Sequence, residues 1–535
     1  MGVLLYHGGD FMEDRIVKLK GLELENFKNV KYGKIDFKED KETGKISNIL
    51  GIYGQNGSGK TSVINALYLF RMVISGQKLN PNFCNFISCE KNSAALGFEF
   101  RIIDKGETYR VFYKFELRKT YKSGAFSDDL SMEYNEMIDL SENIGNNVEY
   151  NKVTHINNSS EMNLEDEKVL GMDEHRIISA EDDKDITVEV FREKLSYSKW
   201  EENQWRKSIT IVDYDMDDED YTFRPIKNYR EAANSTDKKV GFGIAKGLSQ
   251  ENSTSFIFSP KTFSLLLTSF AKTSPENSKI LAILRNFAIF NIFVIQNDEL
   301  GAITSNRMIP LSFMLENKKV NMRGNIGLKL FDVSVIDMNK LETVKKILEQ
   351  INVVLNTLVP KLKIEIKNYG KETLNNSKEA FKVELLSVRN GRKIPLKYES
   401  EGIKKIISIL SVLIGMYNNE NILVAVDELD AGIFEYLLGE ILEILSKSAK
   451  GQLIFTSHNL RALEKLNKDL VVFTTTNENN RYISLNNAKV GNNLRDFYYR
   501  GIMLGGQKED LYDETNKYEI NYAFRKAWML GNGNS

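Results

Sequence analysis

The residues with the clearest chemistry stand close together near the start of the chain. Gly54-Gln55-Asn56-Gly57-Ser58-Gly59-Lys60-Thr61 fills every position of the phosphate-binding P-loop pattern. The chemistry needs these residue types at this spacing. Glycines let the backbone turn its N–H groups towards phosphate oxygens. A helix that begins at the same point adds its positive end. Asn56, Gly57, Ser58, Gly59 and Ser62 then form a cradle, Lys60 reaches the β- and γ-phosphates, and Thr61 is a ligand for Mg2+.

A second group lies far downstream. Asn421-Ile422-Leu423-Val424-Ala425-Val426 is a continuous apolar run that ends in Asp427-Glu428. A carboxylate at the end of a buried strand beside the P-loop strand holds a divalent cation, usually through water, and the next carboxylate polarises the attacking water. On this reading Asp427 is the metal carboxylate and Glu428 the general base. Taken alone, Asp-Glu after a strand is equally explained as a cap on the following helix. A third apolar run, Gln452 to Thr456, leads into Ser457-His458-Asn459. A lone histidine is more often structural, but this one ends a strand about thirty residues after the Asp-Glu pair, where it can contact a γ-phosphate and the attacking water.

These groups need elements to hold them. Ile49-Leu50-Gly51-Ile52-Tyr53 reads as a buried strand, and Val63, Ile64, Leu67, Leu69, Phe70 and Val73 recur at helical spacing from Thr61 to Ile74. Ahead of them, Ile16 to Phe37 alternates and predicts two short strands meeting at Gly21. Strands are predicted again over Ala95 to Ile103 and Tyr109 to Leu117. Between about residues 140 and 255 polar residues dominate, the acidic Asp213 to Asp220 region reads as a solvated loop, and Val188 to Trp205 is expected to be a helix. Pro260 to Phe293 reads as helical. Asn339 to Leu358 predicts an amphipathic helix with Leu341, Val344, Ile347, Leu348, Ile351 and Leu355 on one face, followed by a strand over Lys361 to Ile366.

Composition bounds the answer. The 535 residues carry 72 basic and 74 acidic side chains, a net charge of −2. That argues against coating nucleic acid through bulk charge and leaves a local basic groove open. The two cysteines, Cys84 and Cys89, cannot staple a chain this long and read as reduced thiols. No uninterrupted apolar run approaches the ~20 residues a bilayer span needs, and the first residues do not read as a signal peptide. A soluble, cytoplasmic protein with no membrane partner is expected.

P-loop, strand-Asp-Glu and strand-Ser-His-Asn in this order resemble an ABC-type ATPase head of the AAA family. The resemblance is to SMC-like and OLD-like heads: the structural-maintenance-of-chromosomes, double-strand-break-repair and overcoming-lysogenization-defect groups. Leu24-Glu25-Asn26-Phe27-Lys28-Asn29-Val30 is similar to the first strands of those heads. The resemblance implies a signature motif donated in trans to a partner's nucleotide, and Tyr398-Glu399-Ser400-Glu401-Gly402 fits it. Ser400 precedes an amphipathic helix carrying Ile403, Ile406, Ile407, Leu410 and Leu413. In a lone chain the Ser400 hydroxyl is a helix cap. In a closed dimer, Ser400 and the Gly402 backbone would contact the γ-phosphate. Asp430 is implied as a carboxylate at the dimer seam. Two departures stand out: no Q-loop glutamine is placed, since Gln77 lies too close to the P-loop helix, and Leu429-Asp430-Ala431-Gly432-Ile433-Phe434 lacks the Leu-His-Pro common in many bacterial relatives.

The resemblance implies an α/β fold: an ABC-type P-loop NTPase head with mixed β-sheet and flanking helices, interrupted by a largely helical insertion. The expected division is an N-terminal part of the head at 1–140, an irregular or helical insertion at 141–330 offering a partner or dimer surface, a C-terminal part of the head at 331–480 and an extension at 481–535. ATP and Mg2+ are the implied cofactors, a homodimer or higher homo-oligomer the implied assembly, and slow turnover, ~1 per second or less, the implied rate. The chain lacks heptads for a coiled-coil arm and a Cys-x-x-Cys hook, and the 77 residues after His458 hold no Toprim set. It is therefore similar to the compact ATPase subunits of anti-phage systems such as Septu, PARIS and abortive infection. There it would act as sensor or scaffold for a separately encoded effector, a nuclease or toxin. DNA is left open as a ligand. Two other readings stay open, a DNA repair or recombination ATPase that clamps DNA and a nuclease whose site lies in the insertion.

Overall fold

The computed structural model describes residues 3–6, 15–40, 44–121, 154–155, 186–220, 222–305, 307–316, 321–373, 379–484, 493–504, 507–513 and 515–531. Most of the polar stretch at 141–185 lies outside them. At the centre is a sheet of short strands, Ile49–Tyr53, Ile292–Ile295, Leu423–Val426, Gln452–Thr456 and Val471–Thr474, in which every residue is buried. Continuous apolar runs of this length belong in parallel strands covered on both faces. Their order across the sheet is 292–295, 423–426, 452–456, 49–53, 471–474, all parallel, with Tyr482–Ile483 antiparallel at one edge. Val426 is paired with both Ile295 and Phe455, and Thr456 with Ile52. The residues after each strand, Gln296, Asp427, Ser457 and Gly54, therefore emerge along one carboxyl edge, where open α/β sheets hold their ligands.

Side chains alternate across this sheet and split the interior into two cores. Leu50, Ile52, Leu423, Ala425 and Ile454 face a core shared with the P-loop helix Lys60–Ile74, the helices Pro260–Thr273 and Pro275–Asn291, and an antiparallel sheet. Ile49, Tyr53, Val424, Val426, Leu453 and Phe455 face the other. There they meet the helices Met338–Leu358, Glu401–Asn418 and Glu435–Ser448. The expected face of the first of these helices is buried in full. Burying each such aliphatic side chain is worth roughly 1.5–3 kcal/mol.

The antiparallel sheet corrects two expectations. Arg15–Phe27 is one strand of 13 residues rather than two meeting at Gly21; the ladder only shifts register between Leu19 and Gly21, and the chain reverses after Phe27 into Val30–Asp36. The helix expected over Val188 to Trp205 is instead the strand Ile186–Glu201, paired along most of its length with Glu107–Tyr121. Its β-branched start suits a pleated surface. A register shift at Phe191 breaks the two-residue alternation, so the apolar spacing imitates a helix. This strand joins the N-terminal strands in the order 209–215, 186–201, 107–121, 93–104, 15–27, 30–36. Helices follow it at Ile226–Ala232 and Thr236–Glu251, and the helical span expected over Pro260 to Phe293 is two helices, Pro260–Thr273 and Pro275–Asn291, whose last two expected residues instead open the buried strand Ile292–Ile295. The α/β head with mixed sheets and flanking helices is thus the fold adopted. Among the described residues no helix is long and apolar enough to cross a membrane.

Candidate active site

The P-loop strand ends at Tyr53 and the chain turns through Gly54, Gly57 and Gly59, whose φ angles of 155°, 75° and 92° lie where side chains are strained. A Cβ at Gly54 would collide with the Thr474 hydroxyl. Helix Lys60–Ile74 starts with Gly59 as a left-handed cap that makes no side-chain cap bond, so no side chain competes for its first N–H groups. The loop is buttressed from behind. Ser58 Oγ donates to the Gln55 carbonyl (2.6 Å) and shares a hydrogen with Thr474 Oγ1 (2.5 Å), and the Tyr482 hydroxyl donates to the Gly59 carbonyl (2.7 Å). Asn29 donates to the Gly57 carbonyl and accepts from Ser62 Oγ (3.2 Å). Lys60 is buried, and its ammonium donates to the carbonyls of Gly54 (2.9 Å) and Gln55 (2.8 Å). Burial brings its pKa down to about 8, against the opposing pull of Asp427, Glu428 and Asp430.

Asp427 is 1% exposed. Its Oδ1 accepts from Thr456 Oγ1 (2.6 Å) and Thr61 Oγ1 (3.3 Å), while its Oδ2 is buried with no hydrogen-bond partner among the described residues. Burial raises its pKa, against the two hydroxyl bonds. A buried carboxylate oxygen without a donor is costly, and a cation would supply what it lacks. A carboxylate and a hydroxyl are hard oxygen donors of the kind Mg2+ takes, so this pair fits the metal.

Glu428 adopts φ 46°, a left-handed conformation that costs a non-glycine residue of order 1 kcal/mol or more. It is held there from two sides. Its N–H donates to Thr456 Oγ1 (2.7 Å), and its carbonyl accepts from the ammonium of Lys405, a buried residue of the helix Glu401–Asn418. Burial lowers the Lys405 pKa to about 8. The backbone N–H groups of His458 (3.1 Å) and Asn459 (2.9 Å) donate to Asp430 Oδ2. Burial, with Lys60 next, lowers the His458 pKa, which keeps the ring neutral at physiological pH.

Asn56, Gly57, Ser58, Gly59, Lys60, Thr61, Ser62, Glu428 and His458 line one cavity of about 420 Å3, together with Lys28, Asn29 and Thr456. Asp427 and Thr61 line a second, of about 630 Å3, with Gln296 and Asn65. Three chain segments far apart in sequence therefore converge on one edge. Ser400 and Gly402 do not line either cavity. Ser400 is exposed, and its hydroxyl accepts from Ile403 N at 3.4 Å as the helix cap. Gly402 packs so closely on Gly432 that a Cβ would collide with the Gly432 carbonyl.

Two residues at the site escape a reading by sequence. Gln296 follows the strand Ile292–Ile295, its Nε2 donates to Asn65 Oδ1 (2.8 Å), and the Ile295 carbonyl accepts from Asp427 N (3.0 Å). Gln296 thus lines the same cavity as Asp427, from a strand far along the chain, while Gln77 lines neither cavity. A buried four-residue apolar run ending in a polar residue is the signal that could have marked it. Lys405 could have been marked as a charge inside the apolar face of an amphipathic helix.

The family model described as AAA ATPase domain matches residues 18–461. No curated protein matches the chain. Among solved structures, the chain is similar to the Smc head domain with an extended coiled coil bound to the C-terminal domain of ScpA, from Pyrococcus furiosus. The two are 12% identical, with 88% of this chain and 96% of that chain covered and a TM-score of 0.35. The SMC head domain from Thermotoga maritima is 13% identical over 88% of this chain and 99% of that chain, TM-score 0.33. The recombination mediator protein RecF with ATP, of the RecFOR pathway, is 11% identical over 83% and 94%, TM-score 0.31. Scores this low carry no argument about function.

Proposed function

The chain belongs to the AAA ATPase domain family, and from that premise we propose that it binds and slowly hydrolyses ATP at the carboxyl edge of its central sheet, in a head-to-tail pair of copies that sandwiches two nucleotides. The observation that carries this reading is the convergence of the P-loop, Asp427, Glu428 and His458 on one edge. In the proposed roles the P-loop N–H groups and Lys60 take the phosphates. Thr61 and Asp427 hold Mg2+, which when bound neutralises phosphate charge. Glu428 accepts the proton of the attacking water, the neutral His458 ring meets the γ-phosphate and that water, and Gln296 orients the Asp427 side of the site. The exposed Ser400 and the start of its helix complete the partner's nucleotide site, so ATP favours the closed pair by its differential affinity for that state.

The wider role proposed is that of a sensor or scaffold subunit of an anti-phage system, whose ATP-gated pairing controls a separate effector, a nuclease or toxin. Its resemblance to the compact ATPases of such systems, an ABC-type motif order in a sequence without a heptad arm, a Cys-x-x-Cys hook or a Toprim set, supports it. Turnover by the purified chain with ATP and Mg2+, lost in Glu428→Gln while ATP binding persists, tests the enzymatic reading. Wild-type turnover in that variant overturns it. For the wider role, phage challenge of cells carrying the chain with its neighbouring genes should show protection that Lys60→Ala removes. Protection independent of Lys60 would exclude an ATP-gated role.

A further inference from the structure

The helix Lys517–Gly531 is the least covered element of the described chain. Every residue from Lys517 to Leu530 is exposed, with Tyr518 at 87%, Phe524 at 76% and Leu530 at 76%. Its apolar residues are ordered. Ile520, Phe524, Ala527 and Trp528 fall at i, i+4, i+7 and i+8 on one face, and Tyr518 and Tyr522 form a second stripe. A helix of 15 residues is marginal alone in water, and a contiguous apolar face of this kind marks an interaction surface.

Its place of departure narrows the partner. Asp513, four positions before the helix, exchanges two hydrogen bonds with the P-loop: Gln55 Nε2 donates to Asp513 Oδ2 (2.9 Å), and Asp513 N donates to Gln55 Oε1 (3.1 Å). The preceding turn is pinned by Asn477 and Asn480 donating to Glu509 and by the buried Leu511. The helix thus leaves from the rim of the phosphate cavity. The surface around Ser400 is complementary to it. Tyr398 (70% exposed), Phe434 (70%) and Tyr436 (53%) are exposed on the two segments that the contact of Gly402 with Gly432 brings together, with the Lys397 ammonium over the Tyr398 ring and the Arg461 guanidinium over the Tyr436 ring. Exposed Glu401 and Glu435 lie among them, while the helix carries Lys517, Arg525 and Lys526 against Glu519.

We infer that the C-terminal helix is an arm that docks on the Tyr398–Phe434–Tyr436 patch of a second copy of this chain. The inference rests on the ATP-sandwich reading, in which one copy's P-loop rim faces the other's Ser400, and it adds a contact, at Tyr398 of the signature stretch and beyond it at Phe434 and Tyr436, that does not involve the nucleotide. The arm makes the pair tighter than the nucleotide contacts alone, and Asp513 ties its base to the loop that senses phosphate.

The test measures pairing of the full chain by sedimentation equilibrium with ATP and Mg2+, in a Glu428→Gln background that keeps ATP intact. Phe524→Glu should weaken pairing about 10- to 100-fold, the size of losing one aromatic anchor, and leave ATP binding by the single chain unchanged. Phe434→Glu should weaken pairing similarly, and the two together should cost less than their sum, as contacting residues do. Pairing unaffected by Phe524→Glu, or fully additive losses, overturns the arm while leaving the sandwich standing. Failure of the Glu428→Gln chain to pair at all overturns the sandwich and the arm with it. Cross-linking decides the geometry. With Cys84 and Cys89 changed to serine, a Phe524→Cys chain mixed with a Phe434→Cys chain should form an ATP-dependent disulfide between copies. A disulfide formed only inside a single chain carrying both changes overturns the proposal.

Discussion

The P-loop half of the site and the half proposed for the signature around Ser400 contrast sharply. The first is built within one chain. Thr61, Asp427, Thr456 and the Glu428 backbone are linked by hydrogen bonds of 2.6–3.3 Å, Lys60 donates to the carbonyls of Gly54 and Gln55, and the left-handed conformation of Glu428 is held by Thr456 and Lys405. The second is satisfied without a ligand. Ser400 caps its own helix and faces solvent. Preorganisation is concentrated where charge has to be placed accurately, and the other half is left as a surface. What links them is Lys405, whose ammonium reaches from the helix Glu401–Asn418 to the Glu428 carbonyl.

This contrast can be broken or sharpened experimentally. The largest expected effect is that of Glu428→Gln, which should lower turnover ~10²- to 10⁴-fold, the usual contribution of a general base, with ATP affinity preserved; single-turnover kinetics read both. Lys60→Ala should reduce ATP affinity of the single chain ~10²-fold, the size of losing a charge-assisted contact of roughly 3 kcal/mol, as titration calorimetry would show. Ser400→Asp sets the two halves against each other. Aspartate caps a helix as well as serine, so melting temperature and ATP binding by the single chain should hold, whereas its charge beside a γ-phosphate should cut turnover by at least ~10-fold. Equal loss of binding would place Ser400 in the same half as Lys60.

Smaller effects test the details. Lys60 is charged below its pKa of about 8, and bound phosphate would raise that pKa. Affinity of the unaltered chain for a non-hydrolysable ATP analogue should therefore be flat up to about pH 8 and then weaken, by at most ~10-fold per pH unit. An affinity that rises with pH above 8 would remove Lys60 from the phosphate contact. Gln296→Ala should raise the Mg2+ concentration needed for half-maximal turnover ~10-fold, as loss of a supporting group around a metal does, with ATP affinity in the absence of metal unchanged.

Legibility in the sequence followed range. The P-loop, the Asp-Glu pair and Ser457-His458 are contiguous, and each sits at the end of an apolar run whose burial is complete. The strand Ile186–Glu201 was illegible because its bulge at Phe191 disguised the alternation. Gln296 was illegible because its meaning comes from the parallel pairing of Ile295 with Val426, across a separation of more than a hundred residues. Lys405 carries no local signal of its partner.

The amino-acid order alone determined that a complete P-loop pattern and the Asp427-Glu428 and Ser457-His458 pairs each follow a buried strand, because these features reside in short stretches whose backbone and side-chain chemistry are local. Only the folded chain decided which of these meet, which glutamine stands beside Asp427, and that Ser400 is turned outward. Those outcomes depend on strand order and register, and register is set by the joint burial of residues from every part of the chain.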